Sequence, residues 1–303
     1  MHRKIKIILN PMADMGNAWR AARDLRSITE QHGGIDWSGT VYPGHAIDLA
    51  KQAEGYDMVI AMGGDGTVHE VMNGLMQIPE DRRPILGVVP VGSGNDFGHG
   101  IGASTSPAEA LNRAIDGEPS TVDLGLMTDG HGRREYFDNT LGIGFGAMVT
   151  IRSHQLPLLR GFIMYLTAVI QTILLDHNAM RMQIEVDGQK VEESVIYLIL
   201  CNGPREGGGF LVAPDAKIDD GLLDYAMITN VSRLKMFRIV PEVMKGTHGR
   251  FKEVTLGRCK KFTLTSDRPL YIHADGEIFS GPGTDVRQVS FEILPNALKV
   301  VRG

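Results

Sequence analysis

Three glycines within four residues, at Gly63, Gly64 and Gly66, constrain the fold of this chain more than any other feature. Residues 57–62 before them are almost all apolar, which is typical of a parallel strand covered on both faces. Apolar residues then recur at helical spacing, at Val68, Val71, Met72 and Leu75. Glycine leaves the backbone free to adopt positive φ and to approach a ligand closely. The stretch therefore predicts a strand, a glycine loop and the start of a helix.

The beginning of that helix is predicted to bind phosphate, because its first N–H groups and its positive dipole end stabilise an anion. Thr67 and Glu70 have the spacing of a capping box. Asp65 would repel a phosphate unless a cation lay between them, so we interpret it as holding Mg²⁺, through water, beside a nucleotide phosphate. The alternative is that Asp65 only caps a turn and Glu70 only caps a helix.

Strand-like and helix-like segments alternate through the first third of the chain. The predicted strands cover 4–10, 35–41, 57–62 and 85–90, and the predicted helices cover 18–31, 46–52, the residues after Thr67, and 107–115. This order indicates a doubly wound, mostly parallel sheet. Such sheets bind ligands beyond the carboxyl ends of their strands. The loops expected there, 10–16, 40–44, 63–66 and 90–97, carry glycines and hydroxyls, and their convergence is stronger evidence than any single motif.

From about residue 121 the pattern changes to short strand-like runs with Asp-Gly turns between or after them. The runs cover 120–126, 180–186, 195–201, 222–228, 262–266, 270–274 and 289–294, with helices at 145–154, 161–175 and 232–245. We therefore predict two domains. Residues 1–122 form a nucleotide-binding α/β catalytic domain, and residues 123–303 form a mostly antiparallel, β-sandwich-like substrate domain whose last strand is able to pack back on the first.

Composition narrows the class of protein. The 303 residues carry a net charge of −5, and nothing in them indicates nucleic-acid binding. Cys201 and Cys259 have no metal-binding spacing, which favours reduced cysteines in a cytoplasmic protein. The one long apolar run, residues 156–175, is interrupted and too short to span a bilayer. We expect it to form a buried or membrane-facing helix.

Four motifs carry a resemblance to a known family. They are Gly-Gly-Asp-Gly-Thr at 63–67, Pro-x-Gly-Ser-Gly-Asn-Asp-Phe at 90–97, Asp-Asp-Gly-Leu-Leu-Asp at 219–224 and Asp-Gly-Glu at 275–277. With them the chain resembles the bacterial diacylglycerol kinases, soluble lipid kinases that are related to sphingosine kinases and more distantly to NAD kinases. The first motif does not separate lipid kinases from NAD kinases. The second and the last, with the glycine run at 207–209, favour the lipid branch.

The resemblance implies a two-domain NAD kinase/diacylglycerol kinase-like fold. It also implies ATP- and Mg²⁺-dependent transfer of the γ-phosphate to a hydroxyl of diacylglycerol or a similar lipid, in a cleft between the domains. The implied nucleotide-binding residues are Asn10, Asp14, Thr40, Gly63, Gly64, Asp65, Gly66, Thr67, Glu70, Gly92, Ser93, Asn95 and Asp96. The implied catalytic Mg²⁺ network is Asp65, Asp96 and Asp123. A structural metal is implied at the Asp220 carboxylate and the main-chain oxygens of Lys217 and Leu222.

The resemblance further implies that Asp275, with Glu277 close by, stands where the acceptor hydroxyl is deprotonated. Phosphoryl transfer needs positioning and charge neutralisation, and a carboxylate near the hydroxyl accepts its proton. On a strand, two residues this far apart would share a face. The alternative is that residues 275–276 form only a hairpin turn. For the turn at 219–224, the alternative is a solvated turn without metal.

The chain departs from the family pattern at several positions. Asp14 stands where a small residue is usual, and Ser93 replaces the commoner threonine. His69 stands where asparagine is usual, and we expect it on a helix surface. The residues after Phe97 also differ. Two other functions stay open: an NAD kinase-like enzyme that prefers a soluble dinucleotide, and a nucleotide- or lipid-binding relative without turnover.

A basic segment, residues 229–262, points to a membrane surface. It contains nine Lys or Arg residues against Glu242 and Glu253, in a chain of net charge −5. Each well-placed basic residue attracts anionic headgroups by about 1 kcal/mol before salt screening. We expect peripheral contact with the inner face of the membrane, where the lipid substrate lies, and the alternative is a solvated basic face. One exposed strand edge could also pair two copies as a homodimer.

Overall fold

The computed structural model describes residues 3–33, 35–156 and 158–303. The chain divides into two compact units. The first unit comprises Met1–Val122 and Asn296–Gly303, and the second comprises Asp123–Pro295. The division between consecutive residues thus lies at Val122 and Asp123, and the last eight residues belong to the first unit.

The first unit is an α/β unit built on a parallel sheet. Its elements are strands β1 (Ile5–Leu9), β2 (Asp36–Gly39), β3 (Met58–Gly63) and β4 (Ile85–Pro90), and helices α1 (Asn17–Asp24), α2 (Arg26–Gln31), α3 (His45–Lys51), α4 (Asp65–Leu75), α5 (Asp96–Gly100) and α6 (Pro107–Asp116). The strands lie in the order β4-β3-β1-β2, all parallel. All residues of β1 and β3 are buried, as their apolar runs predict. The loops after these strands therefore lie at one edge of the sheet.

The second unit is mostly antiparallel. Its strands are β5 (Pro119–Asp129, which begins in the first unit), β6 (Arg134–Phe137), β7 (Thr140–Gly144), β8 (Met180–Val186), β9 (Gln189–Cys201), β10 (Leu223–Thr229), β11 (Val254–Cys259), β12 (Lys261–Ser266), β13 (Ile272–Ala274), β14 (Glu277–Ser280) and β15 (Gln288–Val301, which ends in the first unit). Its helices are α7 (Phe145–His154), α8 (Gly161–Leu175) and α9 (Arg233–Met244). The strands pair in the order β14-β13-β7-β9-β8-β12-β15, and β10 pairs with β9 and β11. Both units confirm the predicted fold class.

Strand β9 separates two cores of the second unit. Leu198 and Leu200 pack into a cluster formed by strands, whereas Tyr197 and Ile199 pack with residues of α7, α8 and α9. This alternation follows from the two-residue period of a strand. Because both faces of β9 are covered from Val195 to Cys201, the polar groups of Tyr197 and Cys201 lie in an apolar interior. In the part of the chain that the structure describes, no helix is long and apolar enough to cross a membrane.

Three short 3₁₀ turns complete the described elements, at Ala13–Gly16, Glu80–Arg82 and His248–Arg250. The first of them follows β1 and contains Asp14 and Met15 at positive φ, 47° and 55°. It is the loop that the sequence places at the carboxyl end of the first strand.

Candidate functional site

The glycine loop leads into α4 three residues earlier than predicted. The helix begins at Asp65, and Gly64 is its N-cap residue. The Gly64 carbonyl accepts hydrogen bonds from Thr67 N at 3.0 Å and Val68 N at 3.1 Å. Thr67 and Glu70 therefore do not form the predicted capping box, since both lie inside the helix. Asp65 and Gly66 form its first turn, where N–H groups and the helix dipole favour an anion.

Glu70 caps a different helix from the one in which it lies. Its carboxylate accepts hydrogen bonds from Gly44 N at 2.8 Å and Ala46 N at 3.1 Å, at the start of α3. A carboxylate that satisfies these N–H groups stabilises the helix end. Glu70 thereby ties the loop after β2, which contains Thr40, to α4.

The second glycine loop, residues 91–95, packs directly against the first. A Cβ built on Gly64 would lie 3.2 Å from Gly92 Cα, and one built on Gly92 would overlap the Gly64 backbone. Asn95 fixes this loop: its Oδ1 accepts from Gly92 N at 3.0 Å, and its Nδ2 donates to Gly92 O at 2.7 Å. Asn95 adopts φ 54°, a conformation that asparagine tolerates better than most residues. Only glycines allow these two backbones to approach so closely.

Asp65 and Asp96 converge beside these loops. A Cβ built on Gly94 would lie 2.7 Å from Asp65 Oδ2 and 3.8 Å from Asp96 Oδ2. Burial, with the Asp96 charge adding to it, raises the pKa of Asp65 to about 7, although backbone N–H groups of residues 95–97 favour its charged form. Two carboxylates that share a site favour a cation between them. Their oxygens are the ligands that Mg²⁺ prefers, so this pair fits the implied ion.

Other residues assigned to the nucleotide lie in loops at the same edge of the sheet. Asn10 Nδ2 donates to Thr67 Oγ1 at 3.2 Å, which joins the end of β1 to the first turn of α4. Thr40 N donates to Leu9 O at 2.9 Å directly after β2. Asp14 accepts a hydrogen bond from Asn17 within its own loop, and Ser93 is exposed. A direct contact thus links Asn10 with Thr67.

His69 is not on the helix surface, as the sequence led us to expect, but is buried. The side chain of Asn73, one turn later, donates from Nδ2 to His69 O at 3.1 Å and lies 3.3 Å from His69 Nε2. The reason is that α4 is covered: a Cβ on Gly74 would overlap the backbone of α3 at Ile47. His69 therefore has a packing role in α4.

In the second unit, Asp275 lies in the turn between β13 and β14 at φ 50°. The expectation that Asp275 and Glu277 share a strand face is wrong, because a tight turn separates them. Asp275 is buried, and its carboxylate accepts from the backbone N–H groups of Asp138, Asn139 and Thr140 at 3.0, 3.0 and 2.9 Å. Glu277 is exposed at the start of β14. Asp275 is thus held in one orientation and Glu277 is not.

Asp123 is buried at the start of the second unit, and its Oδ2 accepts from Gly221 N at 2.7 Å. Asp220 Oδ1 accepts from Leu222 N at 3.2 Å, which closes the turn that was assigned to a structural metal. Among the described residues, no group of three or more His, Cys, Asp or Glu side chains is placed to hold a metal. The structural site implied by the sequence uses one carboxylate and two main-chain oxygens, so it stays a prediction.

The sequence analysis missed a buried polar cluster formed by Tyr197, Glu206 and His273. His273 Nε2 lies 3.0 Å from Glu206 Oε1, and both side chains are almost fully buried. Tyr197 and Glu206 also line a small cavity of about 40 Å³ whose walls are mostly apolar. Two signals for the cluster were available: His273 lies two residues before Asp275, and Glu206 directly precedes the glycine run at 207–209.

The fold and these loops define the class of protein as kinase-like. The family model for the diacylglycerol kinase catalytic domain matches residues 4–127. The model for the YegS C-terminal NAD kinase beta sandwich-like domain matches residues 139–302. The two matches together cover most of the chain.

Whole-length relatives agree with the family models. A diacylglycerol kinase of Mycobacterium tuberculosis is 31% identical over 310 residues, which cover 99% of this chain and 95% of that protein. A protein of Chromohalobacter salexigens named as a YegS-like lipid kinase is 37% identical over 248 residues, covering 80% of this chain and 76% of that protein. The chain therefore belongs to the diacylglycerol kinase family of lipid kinases.

Solved structures support the same fold. A crystal structure of a diacylglycerol kinase from Bacillus anthracis superposes with a TM-score of 0.72 at 20% identity, covering 99% of this chain and 97% of that one. A second Bacillus anthracis structure superposes with a TM-score of 0.80 at 22% identity and the same coverage. The resemblance inferred from the four motifs is thus confirmed at the level of family and fold.

Proposed function

We propose that this chain transfers the γ-phosphate of Mg·ATP to the free hydroxyl of diacylglycerol or a similar lipid. The observation that carries the proposal is the convergence of Asp65 and Asp96 on Gly94, beside two glycine loops packed against each other. Two carboxylates beside an anion-binding helix end favour a phosphate that arrives with a divalent cation. Membership of the family adds the reaction class.

The first unit has the parts that a phosphoryl donor needs. The glycine loop and the first turn of α4 direct backbone N–H groups at the phosphates. Asp65 and Asp96 would hold Mg²⁺, directly or through water, and the bound ion supplies neutralisation of charge on the phosphate oxygens. Asn10 and Glu70 hold the neighbouring loops in place through their bonds to Thr67 and to the start of α3. These groups position and neutralise, which is most of what phosphoryl transfer requires.

Asp275 is proposed to accept the proton of the lipid hydroxyl. As that oxygen forms its bond to the γ-phosphorus, the bond from phosphorus to the β-bridging oxygen of ATP breaks and ADP leaves. Three backbone N–H groups keep the Asp275 carboxylate in one orientation. A positioned base contributes about 10²–10⁴-fold to such a rate. Glu277, which is exposed at the start of β14, is proposed to have a minor role.

The apolar cavity of the second unit is proposed to take an acyl chain. It is lined mostly by apolar side chains from α7, α8 and α9 and the strands beneath them. Of the lining residues, Tyr165 on α8 and Val240 on α9 are partly exposed, and the others are buried. An acyl chain that enters between these two helices would gain about 0.8 kcal/mol per buried CH₂. The cavity thus favours a lipid acceptor over a polar dinucleotide.

We also propose that α8 and α9 contact a bilayer with anionic headgroups. Large apolar side chains are exposed along α8, namely Ile163, Ile170, Leu174 and Leu175, and α9 exposes Leu234 and Phe237. Arg233 Nε on α9 donates to Ile173 O on α8 at 3.1 Å, so the two helices are neighbours. Exposed apolar patches of this kind are typical of interaction surfaces.

The charge that supports this surface is smaller than the sequence count suggests. Of the nine basic residues at 229–262, four form ion pairs: Lys235 with Glu253, Lys245 and Arg250 with Glu242, and Arg258 with Asp224. Among the described residues, Arg233, Arg238, Lys260 and Lys261 form no ion pair, whereas Lys252 interacts electrostatically with Glu253. We therefore propose that apolar insertion contributes alongside electrostatic attraction.

Co-sedimentation with vesicles tests the bilayer contact. Ile170→Asp should weaken binding to phosphatidylglycerol-containing vesicles, whereas Val191→Asp, a matched substitution on β9, should not. The two side chains are equally exposed, at 41% and 40%. Binding of the wild type should fall with added salt. Equal loss in both variants, or equal binding to neutral phosphatidylcholine vesicles, would contradict the proposed surface.

A transfer assay with several acceptors tests the function itself. Labelled γ-phosphate from Mg·ATP should appear in diacylglycerol or a related lipid in mixed micelles, when phosphatidylglycerol, sphingosine and NAD are offered in parallel. If the label appeared in NAD alone, the chain would instead be an NAD kinase-like enzyme. Nucleotide binding without transfer to any acceptor would make it a binding protein.

A further inference from the structure

Glu206 is a carboxylate inside an apolar cavity. It lines the cavity together with Tyr197, and the exposed fraction of the whole Glu206 residue is 6%. Most of the remaining lining is aliphatic or aromatic. A charged group in such surroundings is expensive unless donors satisfy its oxygens. The Glu206 carboxylate therefore needs hydrogen-bond donors that the apolar lining of the cavity does not supply.

Its contacts with neighbouring side chains are long or poorly aligned. Tyr197 Oη lies 3.5 Å from Oε2, and Thr140 Oγ1 lies 3.5 Å from Oε1, beyond the usual range for a hydroxyl donor. His273 Nε2 lies 3.0 Å from Oε1, at an angle unsuited to a hydrogen bond. Burial, with the Glu206 charge adding to it, raises the pKa of the Tyr197 hydroxyl well above its ordinary value, so that hydroxyl stays neutral. Oε2 thus has room for one good donor from a ligand.

This carboxylate is close to the base proposed for transfer. Thr140 donates its backbone N–H to Asp275 Oδ1 at 2.9 Å, and its Oγ1 faces Glu206. His273, which approaches the same oxygen of Glu206, lies two residues before Asp275. A lipid whose acceptor hydroxyl meets Asp275 would therefore bring its next polar atom toward Glu206.

We propose that Glu206 accepts a hydrogen bond from a second hydroxyl of the acceptor lipid, so that the chain selects a lipid diol such as a monoacylglycerol. The inference rests on the lipid kinase function proposed above and names its preferred acceptor. In a diacylglycerol, both other glycerol oxygens are esterified, so no donor is left for Glu206. The ligand's donor is expected at Oε2, because His273 and Thr140 already lie beside Oε1.

A matched pair of single-chain acceptors tests the proposal. 1-Oleoylglycerol carries the second hydroxyl, and 1-oleoyl-2-O-methylglycerol has the same acyl chain with that hydroxyl blocked. A hydrogen bond to a charged group is worth about 1.5–3 kcal/mol, so the wild type should prefer the diol in kcat/KM by about 10- to 100-fold. In Glu206→Leu that preference should fall to under about threefold, with the rate on the methyl ether little changed.

Two further variants separate selection from structure. Glu206→Gln, which keeps an acceptor oxygen, should retain part of the preference. Glu242→Gln replaces another buried glutamate of the same unit that does not line the cavity, and it should leave the preference unchanged. If Glu206→Leu does not fold, the wild-type preference still decides.

Two results would overturn the proposal. They are a wild-type ratio near one, or a folded Glu206→Leu that keeps the full preference. In each of these cases transfer to lipid persists, so the proposed function survives. Transfer to NAD alone would instead remove the proposed function and this inference with it.

Discussion

Gly64 and Gly92 lie back to back, so that a Cβ on Gly64 would come within 3.2 Å of Gly92 Cα. One of these glycines follows β3 and the other follows β4. Two glycine loops are thereby joined through their backbones, without a side chain between them. The positions of Asp65 and Asp96 both depend on this approach, because each begins the helix that follows its loop.

Gly92→Ala should disrupt the site more than its size suggests. The added methyl would overlap backbone atoms of Gly64, which cannot move as a side chain can. We expect loss of most ATP affinity and a lower melting temperature, since overpacking typically costs about 1–3 kcal/mol. Calorimetric titration with Mg·ATP measures the first and thermal unfolding the second.

Gly100→Ala is the matched control for that substitution. Gly100 ends the helix that follows the second loop, and a Cβ there would meet nothing within 4 Å. We expect ATP affinity and melting temperature close to those of the wild type. Equal behaviour of the two alanine variants would contradict the close packing of the loops.

Asp65→Asn should stabilise the metal-free protein at pH 8. The folded-state pKa of Asp65 is raised to about 7, above its ordinary value of 3.8. Between these values the folded protein holds a proton that the unfolded chain has released, so the free energy of unfolding falls as pH rises from about 4 to about 7. Removing the charge should raise the free energy of unfolding by about 1–2 kcal/mol at pH 8. This is less than the full shift of the pKa implies, because the side chain is partly solvated.

Asp129 should give stability the opposite dependence on pH, because its environment favours the charged carboxylate. Burial opposes the charge of Asp129, but the Arg133 side chain and backbone N–H groups outweigh it and lower the pKa of Asp129. Asp129→Asn should therefore lose stability at pH 8 and match the wild type only in acid. Chemical unfolding at pH 4, 6 and 8 without Mg²⁺ measures both variants. If Asp65→Asn and the wild type had the same free energy of unfolding at every pH, the raised pKa of Asp65 would be contradicted.

Asp275→Asn should lower transfer by at least about 100-fold while leaving ATP affinity unchanged. The amide retains one acceptor oxygen for the backbone N–H groups of residues 138–140, so most of the turn should survive. Glu277→Gln, two residues away and exposed, should cost less than about threefold. Single-turnover rates measure both effects. A larger loss in Glu277→Gln would transfer the role of base to that residue.

Glu70→Ala should lower stability more than nucleotide affinity. The change leaves Gly44 N and Ala46 N without their acceptor, and loss of a cap costs about 0.5–2 kcal/mol. Glu70→Gln keeps one acceptor oxygen and should lose about half as much. Thermal unfolding, with ATP titration alongside, separates the two roles. A large loss of ATP affinity at unchanged stability would restore Glu70 as a direct nucleotide ligand.

The sequence predicted those parts of the fold that local pattern determines. The buried strands β1, β3 and β4 follow from their apolar runs, and the site at Asp65 follows from glycines next to a helical stripe. The start of α4 was placed three residues late because Thr67 and Glu70 have the capping spacing, while Glu70 instead caps the neighbouring helix. No local signal distinguishes a cap on one helix from a cap on another.

The parts of the structure that the sequence did not predict depend on contacts between residues far apart in the chain. Strand β7 contains two glycines and was not recognised, because its pattern makes sense only beside β13: a Cβ on Gly142 would overlap the His273 ring. Glu206 and His273 are 67 positions apart in the chain and meet only through the sheet. Their residue types could have been noted, but not their contact.

The most direct test of the central claim is the rate at which labelled γ-phosphate passes from ATP to oleoylglycerol or dioleoylglycerol, with and without Mg²⁺, in the wild type and in Asp65→Ala. The variant should unfold at a temperature no lower than the wild type in the absence of metal, because it loses a buried charge. We predict lipid-bound label only in the wild type with Mg²⁺, and at least about a 100-fold loss in the variant. Wild-type transfer that survives chelation of Mg²⁺, or full activity in folded Asp65→Ala, would contradict the account.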